Sequence, residues 1–540
     1  MRLLALLFLC TVFGNAADVS GRWSGALTLT APNGSVQTQP IYLILNQQGS
    51  TLTGSAGNDE RSQNPIRNGR VTADQIVFEV AAVSMRLRLN GAVLEGTGSR
   101  GDSGMTAIFA AKRIAELTDA DLLPRLLYEG PDRSPRILAL REALQTKGGM
   151  VVDEFWKSFA ASGAPLVESL TGNDRSYLVT FLRRGGEQTT NVLLVRGRFS
   201  QFQPANNLLS HIEGTDVWFK TLKLPRGSRF QYSFSENDPQ STIPAGTGER
   251  RTLHDPLNAR HLPEDPGTPK DRWTSLLELP GALSQPWYAT RPGVPRLTVT
   301  KHRFKSDILN NERDILVYTP SGYEKTKSPY PALYLFDGED SDGLVFASQT
   351  IENLINDGKI PPIIVVRIAN PSQAARDREL SCLPDFADFL ARELVPYIRR
   401  NYNVSPDPAK TGVSGYSLGG LAAAYAGLKH PEIFGLVLAQ SGSFWFEPTG
   451  ADAAEPNWLA GEFIRVPRLP LRFYIEAGVF EVDLQGRGGN ILETSRDLRN
   501  VLLAKGYRVD YREFPGDHDY INWRGTLADG LISLFGLPPK

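Results

Sequence analysis

From about Leu297 onward, short apolar segments alternate with helical ones, and this alternation limits the fold more than any other feature of the 540-residue chain. Residues 332–336, 363–368, 411–413, 435–439, 472–476 and 507–514 read as strands. Residues 385–401, 418–429 and 492–505 read as helices between them. Strands separated by helices cannot pair as hairpins, so they build a mostly parallel sheet covered on both faces. Only the segment from Trp445 to Pro470 reads as a long loop.

One junction in this region carries chemistry. Gly415-Tyr416-Ser417-Leu418-Gly419 lies between the strand ending near Ser414 and the helix at 418–429. A serine hydroxyl is a poor nucleophile near neutral pH and needs a base, and the base needs an orienting acid. A Gly-X-Ser-X-Gly turn exposes such a serine by forcing the chain sharply from strand to helix. The pentapeptide alone has weak specificity, since about a few tenths of a match is expected by chance at this composition. Its setting makes Ser417 a nucleophile. Among six histidines, His211, His254, His261 and His302 precede this region, and His430 sits at the end of the helix after Ser417. His518 follows the last strand through Pro515-Gly516-Asp517, where the order serine, acid, histidine places a base. The acid belongs after the strand at 471–476. Glu481 is the first choice and Asp483 the second, and a Ser–His dyad stays open. Asp517 and Asp519 are read as local hydrogen-bonding residues. For the oxyanion, the Leu418 N–H at the helix start and an N–H from the loop Asp337-Gly338-Glu339, with Gly338 as the choice, are expected. No cofactor is expected: metal-ligand clusters, phosphate loops and dinucleotide fingerprints are absent from the sequence, and no metal site is assigned.

The rest of the chain divides by composition. Arg2 precedes an apolar run from Leu3 to Phe13, followed by Gly14, Asn15, Ala16 and Ala17, so residues 1–17 read as a cleaved signal peptide and the protein as periplasmic or secreted. Cys10 lies inside that peptide, which leaves Cys382 alone and excludes an intramolecular disulfide. No other stretch is long and apolar enough to span a bilayer, so stable membrane insertion is not expected. The formal net charge of −1 gives no sign of nucleic-acid binding. Residues 18–114 read as a small antiparallel β domain, a barrel or sandwich, with Asn-Gly turns at 33–34, 68–69 and 90–91. Arg100-Gly101-Asp102 within it is read as a plain turn. Residues 115–165 read as a helical connector, 166–296 as a second β domain ending in a Pro- and Gly-dense return, and 297–540 as the catalytic domain. The oligomeric state is left open.

Several runs in this sequence resemble the enterochelin esterases. They are 415–420, Gln440-Ser441-Gly442-Ser443-Phe444-Trp445, Gly516-Asp517-His518-Asp519, Arg378-Glu379-Leu380, Leu335-Phe336-Asp337-Gly338 and Trp523-Arg524-Gly525. Upstream, 213–218, Asp255-Pro256-Leu257-Asn258 and 276–287 resemble the N-terminal domain of the same family. The likeness spans roughly residues 166–540. It implies an α/β fold: an α/β-hydrolase catalytic domain preceded by an immunoglobulin-like β-sandwich, here with the extra small all-β domain in front. It implies a small-molecule ester substrate, the serine-ester backbone of catecholate siderophores. Arg376, Arg378, Arg487 and Arg524 would then offset the substrate's negative charge, and Trp445 and Trp523 would stack on catechol rings. Tyr416, Gly516-Asp517 and the first β domain depart from the family pattern. A carbohydrate esterase acting on feruloyl or acetyl groups, and a catalytically idle binding protein, are the competing readings.

Overall fold

The computed structural model describes residues 18–537 except 58–62, 73–74, 81–82, 101–103, 116–133, 171–172, 196–206, 239–251, 265–266, 326–327, 340–342, 449–456 and 483–489. The residues read as a signal peptide, 1–17, lie outside the described residues, as do Asp483, Arg487, Gly101 and Asp102. The chain forms two compact units, residues 1–124 and 125–540.

The first unit is all antiparallel. Its strands are β1 (Gly21–Thr30), β2 (Val36–Gln48), β3 (Thr51–Gly57), β4 (Gln63–Pro65), β5 (Arg67–Val71), β6 (Ile76–Val80), β7 (Val83–Asn90), β8 (Val93–Arg100) and β9 (Met105–Ala115). They run in the order β2-β1-β9-β8-β7-β6-β5-β3, and β2 pairs with β3 to close eight strands into a barrel, with β4 added on β3. Of the two expected architectures, barrel and sandwich, this is the barrel. Period-two alternation decides which side chains point inward. On β7, Met85 and Leu87 are buried while Arg86 and Arg88 face out, and Arg88 pairs across the strands with Glu95 at 3.1 Å. Trp23 is buried in the interior with the Arg113 guanidinium 4.9 Å over its ring.

The second unit opens with helices α1 (Pro135–Lys147) and α2 (Met150–Ser162). Ser134 caps α1, accepting from the Ile137 N–H at 3.3 Å and donating to Glu168 at 2.5 Å. Eight strands follow: β10 (Leu166–Leu170), β11 (Asn173–Arg184), β12 (Val192–Val195), β13 (Ser210–His211), β14 (Val217–Pro225), β15 (Arg229–Glu236), β16 (His261–Leu262) and β17 (Thr274–Glu278). They form two four-stranded antiparallel sheets, β10-β11-β14-β13 and β12-β15-β17-β16. The helices are more than the connector expected from the sequence. Ile137, Phe155, Trp156 and Phe159 share one core with Leu182, Val217 and Phe219 of the first sheet.

The remaining strands, β18 (Thr298–Ser306), β19 (Asn311–Thr319), β20 (Ala332–Leu335), β21 (Ile364–Ile368), β22 (Thr411–Tyr416), β23 (Leu436–Gln440), β24 (Arg472–Gly478) and β25 (Arg508–Phe514), form one sheet in the order β18-β19-β21-β20-β22-β23-β24-β25. β18, β19 and β21 pair antiparallel, and every later pair is parallel. Counted from β18, the order 1-2-4-3-5-6-7-8 with the second strand reversed is that of the α/β-hydrolase fold.

Helices cover both faces of this sheet. They are α3 (Ala347–Asn356), α4 (Gln373–Glu379), α5 (Pro384–Asp388), α6 (Val395–Asn401), α7 (Leu418–Lys429), α8 (Trp458–Arg465), α9 (Ile491–Ala504) and α10 (Tyr520–Phe535). Residues of α5 to α9 pack on one face, and those of α3 and α10 on the other. A single turn of π-helix, Phe389–Leu394, joins α5 to α6. Helix α8 falls inside the stretch read from sequence as a loop: its eight residues, buried through Leu459, Ala460 and Phe463, are too few to establish a helical period on their own. No helix among the described residues is long and apolar enough to cross a membrane.

Candidate active site

The site forms at the carboxyl ends of the parallel strands, where α/β sheets place their ligand crevices. β22 ends at Tyr416 and α7 starts at Leu418, so Ser417 must turn the chain alone. It does so at φ 57° and ψ −123°, a region that costs a non-glycine residue on the order of 1–3 kcal/mol. Neighbouring backbone holds it there. Its N–H donates to Gln440 O at 3.0 Å, and its carbonyl accepts from Ser443 N at 3.0 Å and Leu421 N at 3.1 Å. A Cβ on Gly415 would lie 2.6 Å from the Gly419 carbonyl carbon, so the turn closes only because position 415 has no side chain.

His518 comes from the loop between β25 and α10. Its Nε2 lies 2.9 Å from Ser417 Oγ, and its Nδ1 lies 2.6 Å from Glu481 Oε1. Glu481 is fully buried on the turn after β24, and its other oxygen accepts the Gly478 N–H at 2.6 Å. Three residues separated by up to 101 positions thus form one continuous hydrogen-bonded line. The ring of His518 meets the edge of Trp523 at 4.7 Å, which fixes its plane. Asp519 caps α10 by accepting from Ile521 N at 3.0 Å.

The upstream sheets buttress these loops. Arg229 N donates to Pro515 O at 3.1 Å, and Gln231 donates to Asp519 at 2.6 Å. Phe230 packs edge-on against Phe480, next to Glu481, at 4.8 Å. Strand β15 therefore touches both the histidine loop and the acid loop.

A cavity of about 280 Å³ opens over Ser417 and His518. Its wall includes Asp337, Glu339, Asn370, Arg376, Tyr520 and Trp523. Asp337 accepts two hydrogen bonds from Arg376, at 2.6 and 2.9 Å, and one from Asn370 at 2.8 Å. Burial opposes the charge on Arg376, but the hydrogen bonds and charge of Asp337 outweigh it and hold the guanidinium above its ordinary range. Of the arginines expected to meet the substrate, Arg376 alone lines this cavity among the described residues.

Arg378, Trp445 and Arg524 are placed elsewhere. Arg378 is largely exposed and hydrogen-bonds Glu379 at 3.2 Å. Trp445 is partly exposed and outside the cavity wall. Arg524 is buried, donating to Gln285 at 2.9 Å and Glu264 at 3.1 Å, with its guanidinium 4.0 Å over the Tyr288 ring. It ties α10 to the segment ahead of β18, a structural duty that sequence position did not reveal. Trp523 does reach the cavity wall. Its ring, however, is stacked on Tyr416 at 4.8 Å and donates to Ser441 at 2.8 Å, so its face is occupied. This explains the bulky residue before Ser417: Tyr416 supports the tryptophan that supports His518.

The oxyanion expectation also needs correction. Leu418 is the first residue of α7, where helix N–H groups have no partner within the helix. Gly338, however, donates its N–H to Ile368 O at 2.9 Å, and its carbonyl accepts from Arg367 at 2.7 Å. A Cβ there would lie 2.7 Å from Ile368 N, so this glycine permits loop-to-strand packing rather than an anion site. The N–H of Asp337, one residue earlier at φ 52°, donates no hydrogen bond among the described residues.

Two features had no sequence signal of their own. Ser443 places its hydroxyl 3.4 Å from Ser417 Oγ. Beneath the elbow, Glu476 is fully buried and accepts from Gln440 at 3.1 Å, Tyr474 at 2.8 Å and Thr526 at 2.5 Å. Desolvation pushes its carboxyl up to about 8.

The comparisons with known proteins agree with this architecture. The Esterase family model matches residues 306–534, and the model for the enterochelin esterase N-terminal domain matches 178–288. An iron(III) enterobactin esterase of Dickeya dadantii is 30% identical over 424 residues, covering 70% of this chain and 92% of the relative. An iron(III) salmochelin esterase of Escherichia coli is 27% identical over 415 residues, covering 74% and 98%. The crystal structure of an enterobactin esterase from Shigella flexneri, solved in the presence of enterobactin, superposes with a TM-score of 0.55 at 29% identity, covering 72% of this chain and 98% of that one. The chain belongs to the enterochelin (enterobactin) esterase family, on an α/β-hydrolase fold.

Proposed function

We propose that this protein hydrolyses the ester bonds of ferric catecholate siderophores of the enterobactin type, with Ser417 as nucleophile, His518 as base and Glu481 as orienting acid. The observation that carries the chemistry is the line Glu481–His518–Ser417, at 2.6 and 2.9 Å, opening into the cavity. The substrate class is supported by the named activities of its relatives.

Ser417 Oγ attacks the ester carbonyl carbon while its proton passes to His518 Nε2. Glu481 holds Nδ1–H and stabilises the imidazolium that forms. The carbonyl oxygen becomes an oxyanion facing the Leu418 N–H and, in place of Gly338, the Asp337 N–H. The C–O bond to the leaving seryl hydroxyl then breaks, and that oxygen takes the proton from Nε2. Water attacks the acyl-enzyme, gives its proton to Nε2, and the acid leaves as Ser417 recovers its proton. Arg376, held by Asp337, presents positive charge on the cavity wall to the anionic substrate.

The two four-stranded sheets and their return segment are the immunoglobulin-like domain of this reading, supported by the family match over 178–288. Export to the periplasm or beyond is proposed from residues 1–17.

The test incubates the purified protein with ferric enterobactin and follows release of dihydroxybenzoylserine by chromatography. Product with the intact protein and none with Ser417→Ala supports the reading. Turnover of feruloylated or acetylated sugars in preference to the siderophore reassigns the substrate to carbohydrate. Tight binding without turnover of any ester makes the protein a binding scaffold.

A further inference from the structure

The eight-stranded barrel contains a second cavity that the esterase reaction does not use. Eight strands enclose an interior that side chains can just fill, or that can hold one small ligand. Here one half is filled. Trp23, Leu45, Leu52, Ile76, Leu87 and Leu94 are buried and pack together. The other half is hollow, with a cavity of about 220 Å³. It lies where β1 ends, β2 begins, and β6 meets β7. Its walls are mostly aliphatic: Leu27, Leu29, Ile41, Leu43, Val83 and Met85, with Phe78 and Phe109 deeper. Ala56 and Gly57 leave space on the β3 wall where larger side chains would close it. The polar lining groups, Gln39, Asn64 and Arg100, are half-buried or exposed.

The shape and chemistry select the ligand. An apolar cavity of roughly 150 Å³ lined by Leu, Ile and Phe stays dry and binds benzene, so 220 Å³ accommodates on the order of eight carbons. An aliphatic wall favours an alkyl chain over a catechol, whose two hydroxyls would lose water without partners in the apolar half. A cationic and two amide side chains at the polar edge suit a carboxylate head.

We propose that the barrel binds a medium-chain carboxylate amphiphile, its alkyl chain in the aliphatic cup and its head toward Gln39, Asn64 and Arg100. The assignment is independent of the esterase reading. Isothermal titration of the full chain with straight-chain carboxylates from butyrate to dodecanoate tests it. Expected is one site per chain, with affinity rising about fourfold per added methylene and levelling near octanoate, where the cup is full. Leu29→Trp and Ala56→Leu, which fill the cup, each weaken octanoate binding by at least about tenfold and leave esterase turnover unchanged. Covalent blocking of Ser417 with a fluorophosphonate leaves the octanoate stoichiometry at one. Four outcomes overturn the proposal. These are no saturable binding at low-millimolar octanoate, no dependence on chain length, loss of the site on blocking Ser417, and binding of dihydroxybenzoate but not octanoate. The chain-length series uses the unsubstituted protein, so it decides the question even if a cup-filling variant fails to fold.

Discussion

At the level of single residues, the meeting of Ser417 with His518 was legible because a glycine-flanked strand-to-helix turn and a loop after the last strand both lie at the same end of the sheet. On the proposed mechanism, Ser417→Ala should cost about 10⁴–10⁶-fold in kcat, measured on any ester the intact protein turns over. Glu481→Gln should cost about 10³–10⁴-fold in kcat, because the amide can present its N–H to Nδ1 and favour the wrong tautomer. Its circular dichroism should match the unsubstituted protein. The arginines were not legible in the same way. A guanidinium suits a substrate anion and a structural carboxylate equally well, and only the fold reveals which it meets. Arg376 meets Asp337 on the cavity wall, whereas Arg524 is spent on Glu264 and Gln285. Glu476 had no sequence signal because its role comes from burial. The folded protein holds its proton up to about pH 8, while the unfolded chain releases it near its ordinary 4.5. Its contribution to stability is therefore full below pH 4.5 and is lost as pH rises through 8. Thermal midpoints measured from pH 5 to 8 should fall less steeply for Glu476→Gln than for the unsubstituted protein.

At the level of elements, the strand–helix alternation was readable because the central strands β20, β21 and β23 are short, buried and mostly apolar runs. Helix α8 was not, since its few buried positions are set by the sheet face it covers. The run Arg378-Glu379-Leu380, part of the family likeness, also changes meaning at this scale. Glu379 is fully buried and holds Arg313 of β19 at 2.7 Å and Asn311 at 2.9 Å. The Arg313 guanidinium lies 4.9 Å over Phe389 in the π-helical turn. One ion pair thus joins β19, α4 and the α5–α6 turn beneath the sheet. Arg313→Met should destabilise the protein by about 3 kcal/mol, because it leaves the buried carboxylate with only Asn311 and the largely exposed Arg378 as partners. Adding Glu379→Leu should restore most of that loss, since both charges then disappear together. Urea unfolding of the two variants measures the difference.

At the level of the whole molecule, the chain extends well beyond the part that matches the Shigella flexneri enzyme. The Shigella flexneri enzyme is covered over 98% of its length by 72% of this chain, and the upstream family match starts at residue 178. Every residue proposed for the reaction, and strand β15 that braces the loops of Glu481 and His518, belongs to the unit at 125–540. That unit closes its own core at its N-terminal side through α1 and α2, which pack on the β10-β11-β14-β13 sheet. The boundary for a cut follows from the cap. Ser134 is fully buried, satisfies the first turn of α1 and donates to Glu168, so it must be retained. A protein comprising residues 134–540 should fold and hydrolyse ester substrate with kcat and KM within about twofold of the full chain. The same chain begun at Ile137 loses the cap and should be less stable by about 1 kcal/mol. Initial-rate measurements on the longer piece decide the larger point: a folded but inactive 134–540 fragment would mean that the barrel contributes to catalysis, and full activity would leave it free for the separate binding duty its hollow half suggests.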